Sequence, residues 1–138
     1  MKVYRTKSTK ISGANFREVH SRALKIYKPI KSKTKRRPYI RSAYFKNDKI
    51  FLEFFWQHLF TKENWRDRMR RLKYFSCGLE LIQNSKFDPE SKENPNKKSE
   101  ILHRFAGTSK DNDLFFLQIK ENKKTGQKWL MSIFPLNK

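Results

Sequence analysis

Apolar residues recur at helical spacing through the first two thirds of this chain and alternate with polar ones in the last third. Ser12-Gly13-Ala14-Asn15 has the composition of a helix start, and Phe16, Val19, Ala23 and Ile26 then fall on one side. This spacing predicts a helix over 15–28, with Pro29 as its stop. Tyr39-Ile40-Arg41-Ser42-Ala43-Tyr44-Phe45 is rich in strand formers, and Asn47-Asp48 follows as a turn or cap. Over 49–60, Phe51, Phe54, Phe55, His58 and Leu59 share a helical face. The polar gap Thr61-Lys62-Glu63-Asn64 restarts a helix over 63–83, in which Trp65, Met69, Leu72, Phe75, Leu79 and Ile82 recur at spacings of three and four. Its opposite surface carries Arg66, Arg70, Arg71 and Lys73. Gly78 costs about 1 kcal/mol relative to Ala in a helix interior, so a bend is expected there.

From Asn84 to Ser99 the pattern stops. Pro89, Pro95 and several Asn, Lys and Glu surround one apolar anchor, Phe87, and a linker without secondary structure is expected over 84–99. Strands are then expected at 101–107, 114–121 and 127–134. Lys124-Thr125-Gly126 fits a three-residue hairpin with Gly126 at the positive-φ position. That loop sets a register of Ile119 opposite Met131 and Leu117 opposite Ile133, with Phe115 and Trp129 on the same apolar face. Phe116, Gln118, Lys120, Leu130 and Ser132 fall on the other face, which is expected to be partly open. The fold class read from these elements is α+β. Two to three helices pack on one face of a small antiparallel sheet, behind a basic N-terminal extension. The division is 1–45, a basic helix and arm, and 46–138, the α+β domain.

Charge changes the picture of what the chain meets. Lys and Arg number 33 against 13 acids, a net charge of +20 on 138 residues. Residues 1–45 hold 14 of those cations and one acid, Glu18. Such an excess repels itself and calls for a polyanion, of which nucleic acid is the usual one. An anionic membrane surface ranks second, because no cationic amphipathic membrane helix is evident. The chain has no apolar run of about 18 residues, so no membrane span is expected. Met1-Lys2-Val3-Tyr4-Arg5 lacks an apolar core, so no signal peptide is expected, and the location implied is cytoplasmic. Cys77 is the single cysteine, which excludes an internal disulfide and a thiolate zinc site.

Candidate chemistry is correspondingly narrow. His20, His58 and His103 lack partners at metal-ligand spacing, and no phosphate-cradling glycine motif or GxSxG elbow occurs. No metal and no cofactor is expected. The basic run through Lys33, Lys35, Arg36 and Arg37, joined to Tyr39 and Arg41, couples phosphate contacts with a stacking surface for unpaired bases. Density of like charge predicts that 28–37 is flexible until bound. Arg68, Arg70 and Arg71 form a solvated helix face that can also clamp phosphate. On the sheet, Lys120 and Ser132 sit on adjacent strands, and His103 and Arg104 on opposite faces of the first strand. Cleavage of RNA without metal needs a base for the 2′-OH, a cation for the phosphorane and an acid for the 5′-oxygen. His103, Arg104, Lys120 and Ser132 are the residue types that can share those tasks.

Four stretches carry a resemblance. Arg70-Arg71-Leu72-Lys73-Tyr74-Phe75 is followed by Leu102-His103-Arg104-Phe105-Ala106-Gly107, by the strand ending at Lys120, and by Trp129-Leu130-Met131-Ser132-Ile133-Phe134. Over roughly 65–135 this order resembles the barnase–EndoU–colicin–RelE nuclease superfamily, in its phage- or mobile-element-associated branch. The resemblance implies a toxin-like, metal-independent endoribonuclease, with Lys120 and Arg104 at the phosphorane, His103 as acid or base and Ser132 orienting the phosphate. It also implies RNA ahead of DNA as the nucleic-acid partner, and an acidic antitoxin or immunity protein as a further one. The alternative is a non-catalytic nucleic-acid-binding accessory protein that uses the same surface.

Overall fold

The α1 helix, Phe16–Thr34, begins where the sequence places it: the Asn15 side chain accepts the Glu18 N–H and the Glu18 carboxylate accepts the Ala14 N–H. It does not stop at Pro29. That residue lies on the exposed side, while Val19, Ala23 and Tyr27 are buried and Ile26 and Ile30 pack against the core. Packing on one face outweighs the single hydrogen bond that the proline removes. The helix ends instead at Lys35, whose φ of 55° no helix accommodates, so much of the expected flexible run at 28–37 is helical.

A computed structural model describes residues 1–61 and 64–136; Lys62 and Glu63, and with them the expected start of the 63–83 helix, lie outside the described residues. In chain order the other elements are β1 (Val3–Arg5), β2 (Tyr39–Arg41), β3 (Lys49–Phe51), α2 (Glu53–Leu59), α3 (Trp65–Leu72), α4 (Phe75–Asn84), β4 (Glu90–Asn94), β5 (Lys97–Thr108), β6 (Leu114–Asn122) and β7 (Lys128–Pro135). The helix expected over 49–60 is thus a strand, then Leu52, then a shorter helix. The helix expected over 63–83 is two helices, and their break is at Lys73-Tyr74. There the Lys73 carbonyl accepts the Ile11 N–H at 2.8 Å. Gly78 sits inside α4, five residues beyond the break at Lys73. It lets the helix approach the sheet, since a Cβ there would lie 2.6 Å from Ile133 Cδ1.

The expected small antiparallel sheet is the centre of a larger, curled and mixed one. Seven strands run β1-β5-β6-β7-β3-β2, with β4 also on β5. The β1–β5 and β3–β7 pairs are parallel. The segment expected to be a structureless linker contains β4, which pairs antiparallel with β5 through a turn at Pro95-Asn96. The register of β6 and β7 is as expected at Leu117–Ile133 and Gln118–Ser132, then slips. Ile119 faces Leu130, so Met131 is the extra residue of a bulge. The slip buries Leu130 completely and moves Trp129 to the face opposite Phe115.

One face of the sheet is covered. Phe105, Phe115, Leu117, Ile119, Leu130 and Ile133 form a single core with Phe75, Leu79, Leu81 and Ile82 of α4 and with Val19, Ala23 and Tyr27 of α1. Residues on both sides of position 45 share this core. No helix among the described residues is long and apolar enough to cross a membrane.

Candidate nucleic-acid interface

The other face of the sheet gathers aromatic and basic side chains in register. Because a strand turns alternate residues to one side, the cross-strand pairs Lys92–Leu102, Leu102–Lys120, Lys120–Trp129, Trp129–Phe51 and Phe51–Tyr39 make one continuous row. Ile40, Ile50 and Leu130, their neighbours in sequence, point into the core. The aromatic end of the row is lined by cations. Lys120 Nζ lies 5.3 Å from the Trp129 ring and 4.3 Å from Phe54. The Arg37 guanidinium lies 4.1 Å from Phe51, and Lys49 and Arg41 lie 4.8 and 5.4 Å from Tyr39.

A second row beside it reads Glu90, Arg104, Gln118 and Ser132. Ser132 is 8% exposed, as buried as His103, and its hydroxyl donates to Gln118 Oε1 at 3.4 Å. A hollow of about 450 Å³ opens here between Glu90, Lys92, Leu102, Arg104 and Gln118. In a third row Phe116 meets Phe134 at 5.7 Å. Arg104 lies over both rings, at 5.8 and 5.7 Å, and Arg71 of α3 approaches Phe134 to 5.6 Å from the helix side. Asp67 fixes Arg71 by accepting from its Nε at 3.0 Å. Guanidinium groups laid against rings keep their edges for further acceptors.

The fold therefore brings together residues that the sequence placed in separate regions. Arg37, Tyr39 and Arg41 from the N-terminal part join Lys120, Arg104, Ser132 and Arg71 on one face. Lys33, Lys35 and Arg36 are exposed at the end of α1 and in the loop that enters β2. Arg68 is directed elsewhere, toward the Phe60 ring at 5.8 Å. His103 lies on the covered face, 8% exposed, across the sheet from Arg104 and Lys120. The Phe45 ring meets it edge-on at 5.0 Å. The histidine near the outer face is His58. It stacks on Phe54 at 5.5 Å and lines a small hollow with Arg71, Met131 and Ser132. Lys120 also has an anionic neighbour, Glu100 Oε2, at 3.7 Å.

Sequence reasoning missed Trp129, Phe51, Phe54, Phe134 and Lys49 as members of this face. Phe51 read as helix, and the bulge at Met131 turned Trp129 to the other side. Phe116 gave a usable signal, because strand alternation already placed it beside Gln118 and Lys120. Among the described residues no group of three or more His, Cys, Asp and Glu side chains could hold a metal ion. Comparison with protein-family models, curated proteins and solved structures finds no match.

Proposed function

We propose that this protein binds RNA by laying unpaired nucleotides across the outer face of its sheet. The observation that carries the reading is the row Trp129–Phe51–Tyr39 with Lys120, Arg37, Arg41 and Lys49 against its rings. Alternating ring surface and cation serves bases that stack and phosphates that run beside them. A duplex hides its bases and would use only the charge, so a single strand is the preferred form, and the resemblance puts RNA ahead of DNA. The exposed Lys33, Lys35 and Arg36 extend the phosphate track beyond the row. An acidic antitoxin-like protein would compete for the same cations.

A second reading adds metal-independent cleavage by 2′-OH attack, as the superfamily resemblance implies. Lys120 and Arg104, joined by Arg71, would stabilise the phosphorane and Ser132 would orient it. The observation favouring it is that His58, Arg71 and Ser132 line one hollow of about 10 Å³, too small for a phosphate, so the scissile group would lie over its mouth. His58, rather than His103 on the opposite face of the sheet, would then carry the proton.

Fluorescence anisotropy with a labelled single-stranded oligoribonucleotide tests the first reading. Trp129→Ala and Tyr39→Ala should each cost about 1–3 kcal/mol of affinity. Lys49→Ala should lower the slope of log affinity against log salt by roughly one. Equal affinity for duplex and single strand, unchanged in Trp129→Ala, would rule the row out as the binding surface. Incubation of structured RNA in EDTA, with Lys120→Ala/Ser132→Ala and His58→Ala alongside, tests the second. Product formed by wild type and absent from the variants supports cleavage, and intact RNA leaves a binding protein.

A further inference from the structure

The covered side of the sheet holds a second constellation that RNA binding does not use. Ser91 on β4, His103 on β5 and Glu121 on β6 lie on three adjacent strands and face the same way. Ser91 is exposed at the edge strand, whereas His103 is buried behind it. Ser91 Oγ stands 2.6 Å from His103 Nδ1, and His103 Nε2 stands 2.7 Å from Glu121 Oε1. A carboxylate only accepts, so in the neutral ring Nε2 carries the proton and donates to Glu121. Nδ1 is then the acceptor, and the Ser91 hydroxyl donates to it. Lys128 Nζ lies 2.8 Å from Asp48 Oδ2 and 3.9 Å from Glu121 Oε2. The Phe45 ring packs edge-on against the imidazole and restrains it.

An accessible hydroxyl, a base in contact with it and an anion that orients the base are the parts of an activated serine nucleophile. We infer that Ser91 is such a nucleophile, and that it takes the acyl group of small activated carboxylic esters. As Ser91 Oγ bonds to the carbonyl carbon, its proton passes to His103 Nδ1, and Glu121 balances the imidazolium through Nε2–H. Collapse of the tetrahedral adduct breaks the carbon–oxygen bond to the leaving alkoxide, which takes the proton from Nδ1. Water then repeats the sequence, deprotonated by the same nitrogen, and releases the carboxylic acid and free Ser91. Ser91 is the catalytic nucleophile and His103 its base, while Glu121 is a positioning residue.

The probe is p-nitrophenyl acetate on the 138-residue chain, followed by release of nitrophenolate and by peptide mass spectrometry of the quenched adduct. The expected result is one acetyl group on Ser91, formed about 10²–10⁴-fold more slowly in His103→Gln. Ser91→Ala should lack the adduct, and Ser91→Cys should restore a thioester at the same position. For Glu121, nitrogen-15 spectra of the imidazole should show the Nε2–H tautomer in wild type and a mixture in Glu121→Gln, with slower acetylation. Acetyl groups confined to lysines or the terminal amine in the wild-type protein would overturn the inference without any variant. So would an unchanged acetylation rate in folded His103→Gln. RNA binding is scored separately, so neither outcome bears on the outer-face reading.

Discussion

At the scale of single residues, Gly78 separates local propensity from packing. Propensity alone says that Gly78→Ala stabilises a helix by about 1 kcal/mol. The added Cβ would stand 2.6 Å from Ile133 Cδ1 and 3.1 Å from Leu117 Cδ1, between a helix and two buried strands. Overpacking of that kind costs roughly 1–3 kcal/mol. Gly78→Ala should therefore lower the midpoint of urea unfolding, and an unchanged or raised midpoint would show that α4 does not sit this close to the sheet. Glu80, two positions on, makes a pH-dependent contribution. Burial pushes its carboxyl upward, but the Lys7 N–H, the Ser8 and Tyr4 hydroxyls and the Ser8 N–H all donate to it and bring it below its ordinary 4.5. A group whose folded pKa is depressed stabilises the fold above its unfolded value and loses that effect as pH falls through the folded one. Wild type should melt higher than Glu80→Gln at neutral pH, with the gap closing as the solution is acidified below the ordinary carboxylate value. A gap that stays constant with pH would mean that the charge on Glu80 is irrelevant.

At the scale of elements, what could be read from the chain depended on how locally each element is stabilised. The centre of the sheet was legible, because β5, β6 and β7 alternate over many residues and one hairpin sets their register. The register was right up to Ser132 and wrong beyond it, because a bulge leaves no mark in an alternation that Trp129, Leu130 and Met131 satisfy either way. β1 and β3 were beyond reach as strands of this sheet: each has three residues and joins it by parallel pairing to a partner distant in sequence, whereas β2 lies within the strand-forming run 39–45. β4 was missed for a different reason. Its Glu-Ser-Lys-Glu-Asn run is polar throughout, as suits a protected edge, and so carries no hydrophobic period. The length of α1 was missed because Pro29 reads as a stop. Its exposed position makes a test possible. Pro29→Ala restores an N–H and should stabilise the protein by on the order of 1–3 kcal/mol if the helix runs on to Thr34. The same substitution would change little if the chain left the helix at Lys28, so the difference in unfolding midpoint decides between the two.

At the scale of the whole molecule, the charge asymmetry and the core divide the chain differently. Charge suggests a basic arm at 1–45 beside a domain at 46–138, and the outer face already crosses that boundary through Tyr39 and Phe51. The core crosses it as well. Val19 and Ala23 are fully buried, and Tyr27 stacks on Trp56 at 4.8 Å and meets Phe75 edge-on at 6.1 Å. β1 supplies the parallel neighbour of Ala106, Gly107 and Thr108, and Ile40 is buried beneath β2. A fragment of residues 46–138 would expose the aromatic side of α2 and α4 and leave the end of β5 without its partner. Large apolar exposure of this sort favours a compact state without fixed packing. That fragment should retain far-ultraviolet circular dichroism, lose the near-ultraviolet aromatic signal and bind anilinonaphthalene sulfonate, while the full chain melts cooperatively. A fragment with a sharp thermal transition would instead make 1–45 an appendage, and under the proposed function the stacking row would have to be assembled by its ligand rather than presented to it. The distinction matters for affinity, since a row held in place by the core binds without first ordering Tyr39, Arg41 and Arg37.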